Sequence, residues 1–140
     1  MNPKPSGAPP VLLLIDSDPL VRIAAGDILM DAGYRVIAEA SADHAMVILK
    51  MRPDVQAVVT DVSVPTLLDG CRLVEMADAS CPGIGFVITL ADRCEGYCEL
   101  PKNARGLTKP YSPSELLEAV EAVLALRSKP ELVAIGLASA

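Results

Sequence analysis

The fold is decided by the stretch Val55–Asp61 (VQAVVTD), an aliphatic run that ends on a carboxylate. A short, unbroken aliphatic run is typical of a strand that is buried on both faces of a sheet. The carboxyl end of such a strand is where open α/β sheets bind their ligands. Asp61 is therefore the first candidate for a functional residue.

Working outward from this stretch, three other predicted strands also end on polar side chains. One is followed by Asp16 and Asp18, a later one closes on the hydroxyl of Thr89, and another is followed by Lys109. Because the carboxyl ends of parallel strands meet at one edge of a sheet, we expect these groups to converge around Asp61. Acids, a hydroxyl and an ammonium around a central Asp indicate a site for a metal-assisted phosphoryl group.

Strand and helix signals alternate along the chain. Asp18 before Pro19 predicts a helix start, Gly33 a helix end, and Ser112 with Glu115 a capping box. Five βα units in alternation predict a parallel sheet between layers of helices, with right-handed crossovers. The predicted strands are 11–15, 36–38, 55–60, 86–89 and 105–108, and the predicted helices are 19–32, 42–51, 69–77, 92–99 and 112–126.

Length and composition restrict the class of protein. A chain of 140 residues is long enough for one domain with its own core, which must be aliphatic because only 3% of the residues are aromatic. The net charge of −6 argues against nucleic acid or an anionic membrane as a partner. No apolar run reaches the roughly 18 residues of a membrane-spanning helix. The amino terminus lacks a signal peptide, which predicts a cytoplasmic location.

The chain is expected to divide into three parts. Residues 1–10 are rich in proline and are predicted to be a disordered leader, residues 11–126 form the domain, and residues 127–140 form a tail. The apolar stretch 132–137 is expected to dock on the domain or on a second copy of the chain, so a homodimer is one expected assembly. The cysteines have no paired CxxC spacing for zinc and are expected to be reduced thiols.

The motifs at the strand ends resemble those of a response-regulator receiver domain of two-component signalling. They are Asp16-Ser17-Asp18-Pro19, the spacing from Asp61 to Pro65 with Asp69-Gly70 after it, and Thr108-Lys109-Pro110-Tyr111. The resemblance covers residues 11–126. It implies a flavodoxin-like α/β fold, with a doubly wound, five-stranded parallel sheet in the order 2-1-3-4-5 flanked by helices. The receiver is expected to be a stand-alone domain, with no attached output domain.

The resemblance also implies a chemistry. In such domains the central Asp, here Asp61, takes a phosphoryl group from the phosphohistidine of a histidine kinase or phosphotransfer protein and becomes an aspartyl phosphate. Mg²⁺ would be the cofactor, held by Asp16, Asp61 and the backbone carbonyl of Ser63. Thr89 and Lys109 would bind the phosphoryl group and take part in the switch. The protein would signal through contacts with a downstream protein and would not act as an enzyme on an outside substrate.

Three positions depart from the receiver pattern. The second acid is Ser17, whose neutral hydroxyl is a poorer ligand for a hard dication. The aromatic switch position is Gly106, so no ring can rotate inward. Two alignments are possible at the hydroxyl position. In one, Thr89 supplies the hydroxyl and is followed by the bulky Leu90. In the other, Leu90 occupies the position, so the hydroxyl is lost, and the small Ala91 follows. These departures favour an alternative, a degenerate receiver that binds proteins independently of phosphorylation.

Each motif also has a plain structural interpretation. Asp61 could begin a turn and Lys109 could be a solvated loop residue, whereas Asp18 is favoured as the N-cap of the first helix. A small α/β enzyme or nucleotide-binding protein is a third class of function. No glycine-rich phosphate loop follows the first strand, however, so the sequence does not support that class.

Overall fold

The computed structural model describes residues 8–61, 67–81, 83–90 and 102–139, and for 67–73 and 127–139 it describes the backbone only. The predicted helix 92–99 lies outside the described residues. Strands and helices alternate in the described part. In chain order they are β1 (Val11–Ile15), α1 (Pro19–Asp31), β2 (Arg35–Glu39), a 3₁₀ turn (Ala42–His44), α2 (Ala45–Met51), β3 (Val55–Asp61), α3 (Leu67–Ser80), β4 (Gly85–Leu90), β5 (Ala104–Thr108) and α4 (Pro113–Ser139).

The five strands form one parallel sheet in the order β2-β1-β3-β4-β5. This confirms the doubly wound, flavodoxin-like arrangement that the resemblance implied. The winding changes direction between β1 and β3, so the connections that leave these two strands run to opposite sides of the sheet. In open α/β sheets a crevice forms at that point, at the carboxyl ends of the strands, and ligands bind there.

Each face of the sheet has its own aliphatic core, because successive strand residues point to opposite faces. The core against α1 and α4 contains Leu12, Leu14, Ala25, Leu29, Ala57, Val59, Val87, Leu116, Val120 and Val123. The core against α2 and α3 contains Val11, Leu13, Ile15, Ala45, Leu49, Val55, Val58, Val74, Ala77, Ile84, Phe86 and Ile88. The near absence of aromatic rings from both cores agrees with the expectation from composition.

The predicted helix boundaries at α1 and α4 are visible as hydrogen bonds. After α1, the amides of Gly33 and Tyr34 donate to the carbonyls of Met30 and Leu29 over 3.0 and 3.1 Å. Gly33 has a φ of 100° there, a left-handed conformation that favours glycine. Before α4, the amide of Ser112 donates to the Glu115 carboxylate (2.8 Å) and the amide of Glu115 donates to the Ser112 hydroxyl (3.1 Å), which confirms the capping box.

Two helices differ from the sequence prediction. The helix predicted to start at Asp69 begins at Leu67, because the leucines before Asp69 are good helix formers. The last helix was predicted to end near residue 126, but its backbone continues to Ser139. Within the residues that the structure describes, no helix has both the length and the apolar character needed to cross a membrane.

Candidate functional site

Strand register places four of the predicted site residues at one edge and on one face of the sheet. Asp61 pairs with Thr89 across β3 and β4, and both continue the alternate positions that face α1 and α4. Asp16 comes directly after β1 and continues the alternation of Leu12 and Leu14, so it lies on the same face of the sheet. Lys109 comes directly after β5. The period of two along each strand therefore brings these side chains together.

The ammonium of Lys109 lies between the two carboxylates. Its Nζ is 3.0 Å from Asp16 Oδ2 and 3.3 Å from Asp61 Oδ1. The side chains of Asp16 and Asp61 are only 3% and 4% exposed, and that of Lys109 is 19% exposed. The expected convergence of Asp16, Asp61 and Lys109 is therefore observed, and Lys109 is not a solvated loop residue.

These contacts change the protonation behaviour of the site. Burial alone would lower the pKa of Lys109, but the hydrogen bond and charge of Asp16 and the charge of Asp61 outweigh it, so the pKa is raised above its ordinary value. Burial and the negative charge of Asp16 also raise the pKa of the Tyr111 phenol, which packs beside the site. Lys109 is thus a firmly protonated cation at neutral pH.

The loop after β1 is held by hydrogen bonds from both directions. The amide of Asp16 donates to the Glu39 carbonyl of β2 (3.1 Å), and the amide of Asp18 donates to Asp16 Oδ1 (2.9 Å). The Asp18 carboxylate accepts from the amides of Leu20 (2.9 Å) and Val21 (3.4 Å). This confirms the interpretation of Asp18 as the N-cap of α1, so its carboxylate is used at the helix start.

Arg22 of α1 contacts this loop, and the sequence interpretation missed it. Its Nη1 donates to the backbone carbonyl of Asp16 over 2.6 Å. The signal that could have found it is spacing, because Arg22 lies four residues after the N-cap Asp18 and therefore on the same side of the first helical turn. A cation one turn into a helix that starts beside an acid cluster can reach back over that cluster.

Thr89 is buried at the end of β4, and its hydroxyl donates to the Thr60 carbonyl over 3.5 Å. Of the two alignments that the sequence left open, the structure has Thr89 opposite Asp61, whereas Ala91 lies outside the described residues. The next residue, Leu90, packs against the core on the α2 and α3 side. The hydroxyl and the bulky residue therefore point to opposite faces of the sheet.

The remaining predicted positions contribute less. Ser17 is exposed, and Ser63 lies outside the described residues. At Gly106 a Cβ atom would lie 3.8 Å from Leu90 Cδ1, an ordinary contact, so Leu90 borders the space beside Gly106. Asp16 and Asp61 offer the hard oxygen atoms that Mg²⁺ prefers. Across the described residues, no group of three or more His, Cys, Asp or Glu side chains could hold a metal ion, so the acidic ligand set is limited.

No protein-family model and no curated protein sequence matches the chain, but solved structures do. A response regulator receiver protein from Sinorhizobium medicae matches with a TM-score of 0.77 and 26% identity over 85% of this chain and 97% of that chain. A CheY-like receiver domain protein from Methanospirillum hungatei matches with a TM-score of 0.72 and 20% identity over 88% of this chain and 99% of that chain. The signal receiver domain of an HD domain-containing protein from Pseudomonas fluorescens matches with a TM-score of 0.71 and 23% identity over 86% of this chain and 98% of that chain.

These three neighbours are covered over nearly their whole length by this chain, so the similarity concerns a complete domain. The sheet order and the two carboxylates joined by Lys109 agree with what the resemblance of the motifs to receiver domains implies. The chain therefore has the fold of response-regulator receiver domains and is similar to them over its whole described sheet.

Proposed function

We propose that this receiver domain accepts a phosphoryl group on Asp61 from the phosphohistidine of a histidine kinase or a phosphotransfer protein. The observation that supports the proposal is the ammonium of Lys109 between Asp61 and Asp16, at the edge of the sheet where the fold binds ligands. Ion pairs that only stabilise the fold also occur in proteins. Here, however, one ammonium joins two carboxylates that lie at the carboxyl ends of two different strands.

The chemistry requires a nucleophile and a counter-charge. A carboxylate oxygen of Asp61 would form a bond to phosphorus while the bond from phosphorus to the imidazole nitrogen breaks, and that nitrogen keeps the electron pair. Lys109 is already 3.3 Å from Asp61 and would pair with a phosphoryl oxygen. The hydroxyl of Thr89 is opposite Asp61 in register and would donate to another phosphoryl oxygen.

Mg²⁺ is the cofactor that fits the ligand type of this site. When bound, it neutralises the charge of phosphoryl oxygens. Asp16 and Asp61 would hold it through their carboxylates, and the carbonyl of Ser63 is the third ligand that the resemblance implies. Because Ser17 contributes no negative charge, we expect Mg²⁺ to bind more weakly here than at a site with one more carboxylate.

The first turns of α1 are the surface that we expect a phosphodonor protein to cover. A donor must approach the carboxyl edge of the sheet to reach Asp61, and α1 begins at this edge. Leu20 and Ile23 of α1 are 77% and 60% exposed although they are large and apolar. Replacing Leu20 with Lys should slow transfer from a protein donor but not from a small phosphodonor, whereas Met51→Lys on α2, also an exposed apolar position, should slow neither.

Phosphorylation by a small phosphodonor tests the proposal directly. Incubation with acetyl phosphate and Mg²⁺ should add the mass of one phosphoryl group, and beryllofluoride with Mg²⁺ should shift the amide resonances around the site. Asp61→Asn should abolish both responses. Asp54→Asn, a change of the same type at an exposed ion pair with Arg52, should preserve them. The proposal fails if the unaltered protein does not respond or if Asp61→Asn responds equally.

The alternative function is a degenerate receiver that binds proteins without a phosphoryl switch. Two observations favour it: the side chain at the second acid position, Ser17, is neutral and exposed, and Leu90 borders the space beside Gly106 where the switch ring is missing. A Mg²⁺ titration separates the two functions. Binding in the millimolar range that is lost in both Asp16→Asn and Asp61→Asn would argue against the degenerate receiver, and no binding at all would support it.

A further inference from the structure

The contact between Arg22 and the acid loop is unusually placed for an arginine. Arg22 is in the first turns of α1 (Pro19–Asp31), a helix with no acidic residue in its first turn. A cation close to a helix N-terminus meets the positive end of the helix dipole, which disfavours it. The partly buried hydrogen bond from Arg22 Nη1 to the Asp16 carbonyl, 2.6 Å long, offsets that cost.

Asp16 is held at each of its polar groups in the described structure. Its amide donates to Glu39, its Oδ1 accepts from the Asp18 amide, and its Oδ2 lies against Lys109. Arg22 takes the remaining group, the backbone carbonyl. Four different contacts therefore determine how this one buried acid is oriented.

The carbonyl contact is linked to the carboxylate through the backbone of the loop. The Asp16 carbonyl belongs to the peptide that leads to Ser17, and the amide of Asp18 belongs to the next peptide, so a rotation of the first peptide can change where that amide points. That amide holds Asp16 Oδ1, so that Oδ2 faces Lys109. If the carbonyl lost its charged donor, the peptide could rotate, the Asp18 amide would move, and the carboxylate would lose its alignment with Lys109 and Asp61.

We propose that Arg22 is a positioning residue of the phosphoacceptor site, which aligns Asp16 with Lys109 by holding the Asp16 carbonyl. The part of the proposal that concerns reaction rate depends on the proposed function of Asp61. The part that concerns alignment of Asp16 does not depend on it. Arg22 acts through the β1–α1 loop and needs no contact of its own with the phosphoryl group.

Hydrogen exchange of a single amide tests the alignment. In Arg22→Met the amide of Asp18 should exchange about tenfold faster, because its hydrogen bond to Asp16 is weakened. Arg22→Lys keeps a charged donor at this position and should restore most of the protection. Arg35→Met removes the same charge from an exposed position at the start of β2 and should leave the Asp18 amide unchanged.

Phosphorylation rates in the same variants test the consequence for the reaction. With acetyl phosphate and Mg²⁺, Arg22→Met should be modified about tenfold more slowly than the unaltered protein, since a small displacement of a catalytic group has a large effect on rate. Arg35→Met should keep the full rate. Unchanged exchange of the central amides of Val58 and Val59 shows that each variant is folded.

The results separate this inference from the proposed function. If Arg22→Met leaves the Asp18 amide unchanged, or if Arg35→Met changes it equally, Arg22 does not position the loop. If the rate falls without a change at Asp18, Arg22 acts by its charge and the inference is overturned. If the unaltered protein accepts no phosphoryl group, the proposed function fails, and the Asp18 exchange still decides whether Arg22 aligns Asp16.

Discussion

At the scale of single residues, Lys109 is the contact on which the site depends. Its ammonium lies within ion-pair distance of Asp16 and Asp61, whose side chains are almost completely buried. Without it, two carboxylates would face each other in poorly hydrated surroundings, where like charges repel strongly. The group that would neutralise a phosphoryl oxygen therefore also stabilises the fold around the site.

Replacing Lys109 with Met should destabilise the protein at pH 7. Removing one partner from a buried set of charges leaves the others uncompensated, and we expect the free energy of unfolding to fall by about 3 kcal/mol. Urea denaturation followed by circular dichroism measures it. The exposed Lys102→Met is the matched control and should change the value by less than about 0.5 kcal/mol. Equal stability of the two variants would contradict a structural role for Lys109.

The same ion pair predicts a dependence of stability on pH. The pKa of Lys109 is raised in the folded state above its ordinary value of 10.5. Its contribution to stability is therefore complete below about pH 10.5 and is lost as the pH rises through the folded pKa. Denaturation curves between about pH 9 and pH 12, at about half-unit steps, should show a decline above about pH 10.5 in the unaltered protein that is smaller in Lys109→Met.

The pH experiment needs a background without the neighbouring phenol. Burial and nearby carboxylates raise the pKa of Tyr111, so its ionisation also lowers stability at alkaline pH. Both proteins should therefore carry Tyr111→Phe. If the decline is identical with and without Lys109 in that background, the raised pKa of Lys109 makes no contribution to stability.

At the scale of elements, the start of α1 is determined by Asp18. Its carboxylate accepts from two free amides of the first turn, and Pro19 occupies the first helical position, where no amide donor is needed. Asp18→Ala should lower the free energy of unfolding by about 1 kcal/mol. Asp31→Ala, at the other end of the same helix, should not destabilise, because an acid is unfavourable at a helix C-terminus. Urea denaturation of both variants compares the two ends.

The contact between β4 and α4 depends on Gly85. A Cβ atom there would lie 2.8 Å from Val123 Cβ and 3.0 Å from the Val123 carbonyl oxygen, so the helix would have to move. Gly85→Ala should therefore lower the free energy of unfolding by about 1–3 kcal/mol in thermal or urea denaturation. Gly106→Ala on β5 is the control, since its nearest contact would be 3.8 Å away. If both variants are equally stable, the close approach of the helix is not required.

At the scale of the whole molecule, the doubly wound topology creates the site. Four strands carry the site residues at or next to their carboxyl ends: Asp16, Asp61, Thr89 and Lys109. The sheet order brings those strand ends side by side. The long-range contact between Lys109 and Asp16 joins the residue after the first strand to the residue after the last. Because these contacts connect distant parts of the chain, the site can exist only when the whole sheet has formed.

The carboxyl-terminal half of α4 carries a prediction about assembly. The backbone of 127–139 is helical, and the apolar stretch 132–137 is expected to dock on the domain or on a second copy. If the stretch docks on the domain, truncation after Arg127 should lower the free energy of unfolding. If it docks on a second copy, truncation should lower the molar mass that light scattering measures. A full-length chain with Leu132→Ser and Ile135→Ser should behave like the truncated one. No change in stability or mass in either protein would contradict docking.

The alternation of elements, the sheet class and the main candidate residues could be read from the sequence. Aliphatic runs mark the strands, and the N-cap at Asp18 and the capping box at Ser112 follow from local chemistry. These features depend on neighbours a few residues away, so local patterns are sufficient to predict them. The resemblance to receiver domains then supplied the sheet order, which local patterns do not determine.

Two features were decided only by the tertiary structure. They are the ion pair of Lys109 with Asp16, in addition to its expected contact with Asp61, and the close approach of Val123 to Gly85. Each depends on distances between segments that are separate in the sequence, set by strand register and helix packing to within an ångström. A sequence pattern specifies which face a side chain occupies, but it contains no information on such distances, because they result from packing all the elements at once.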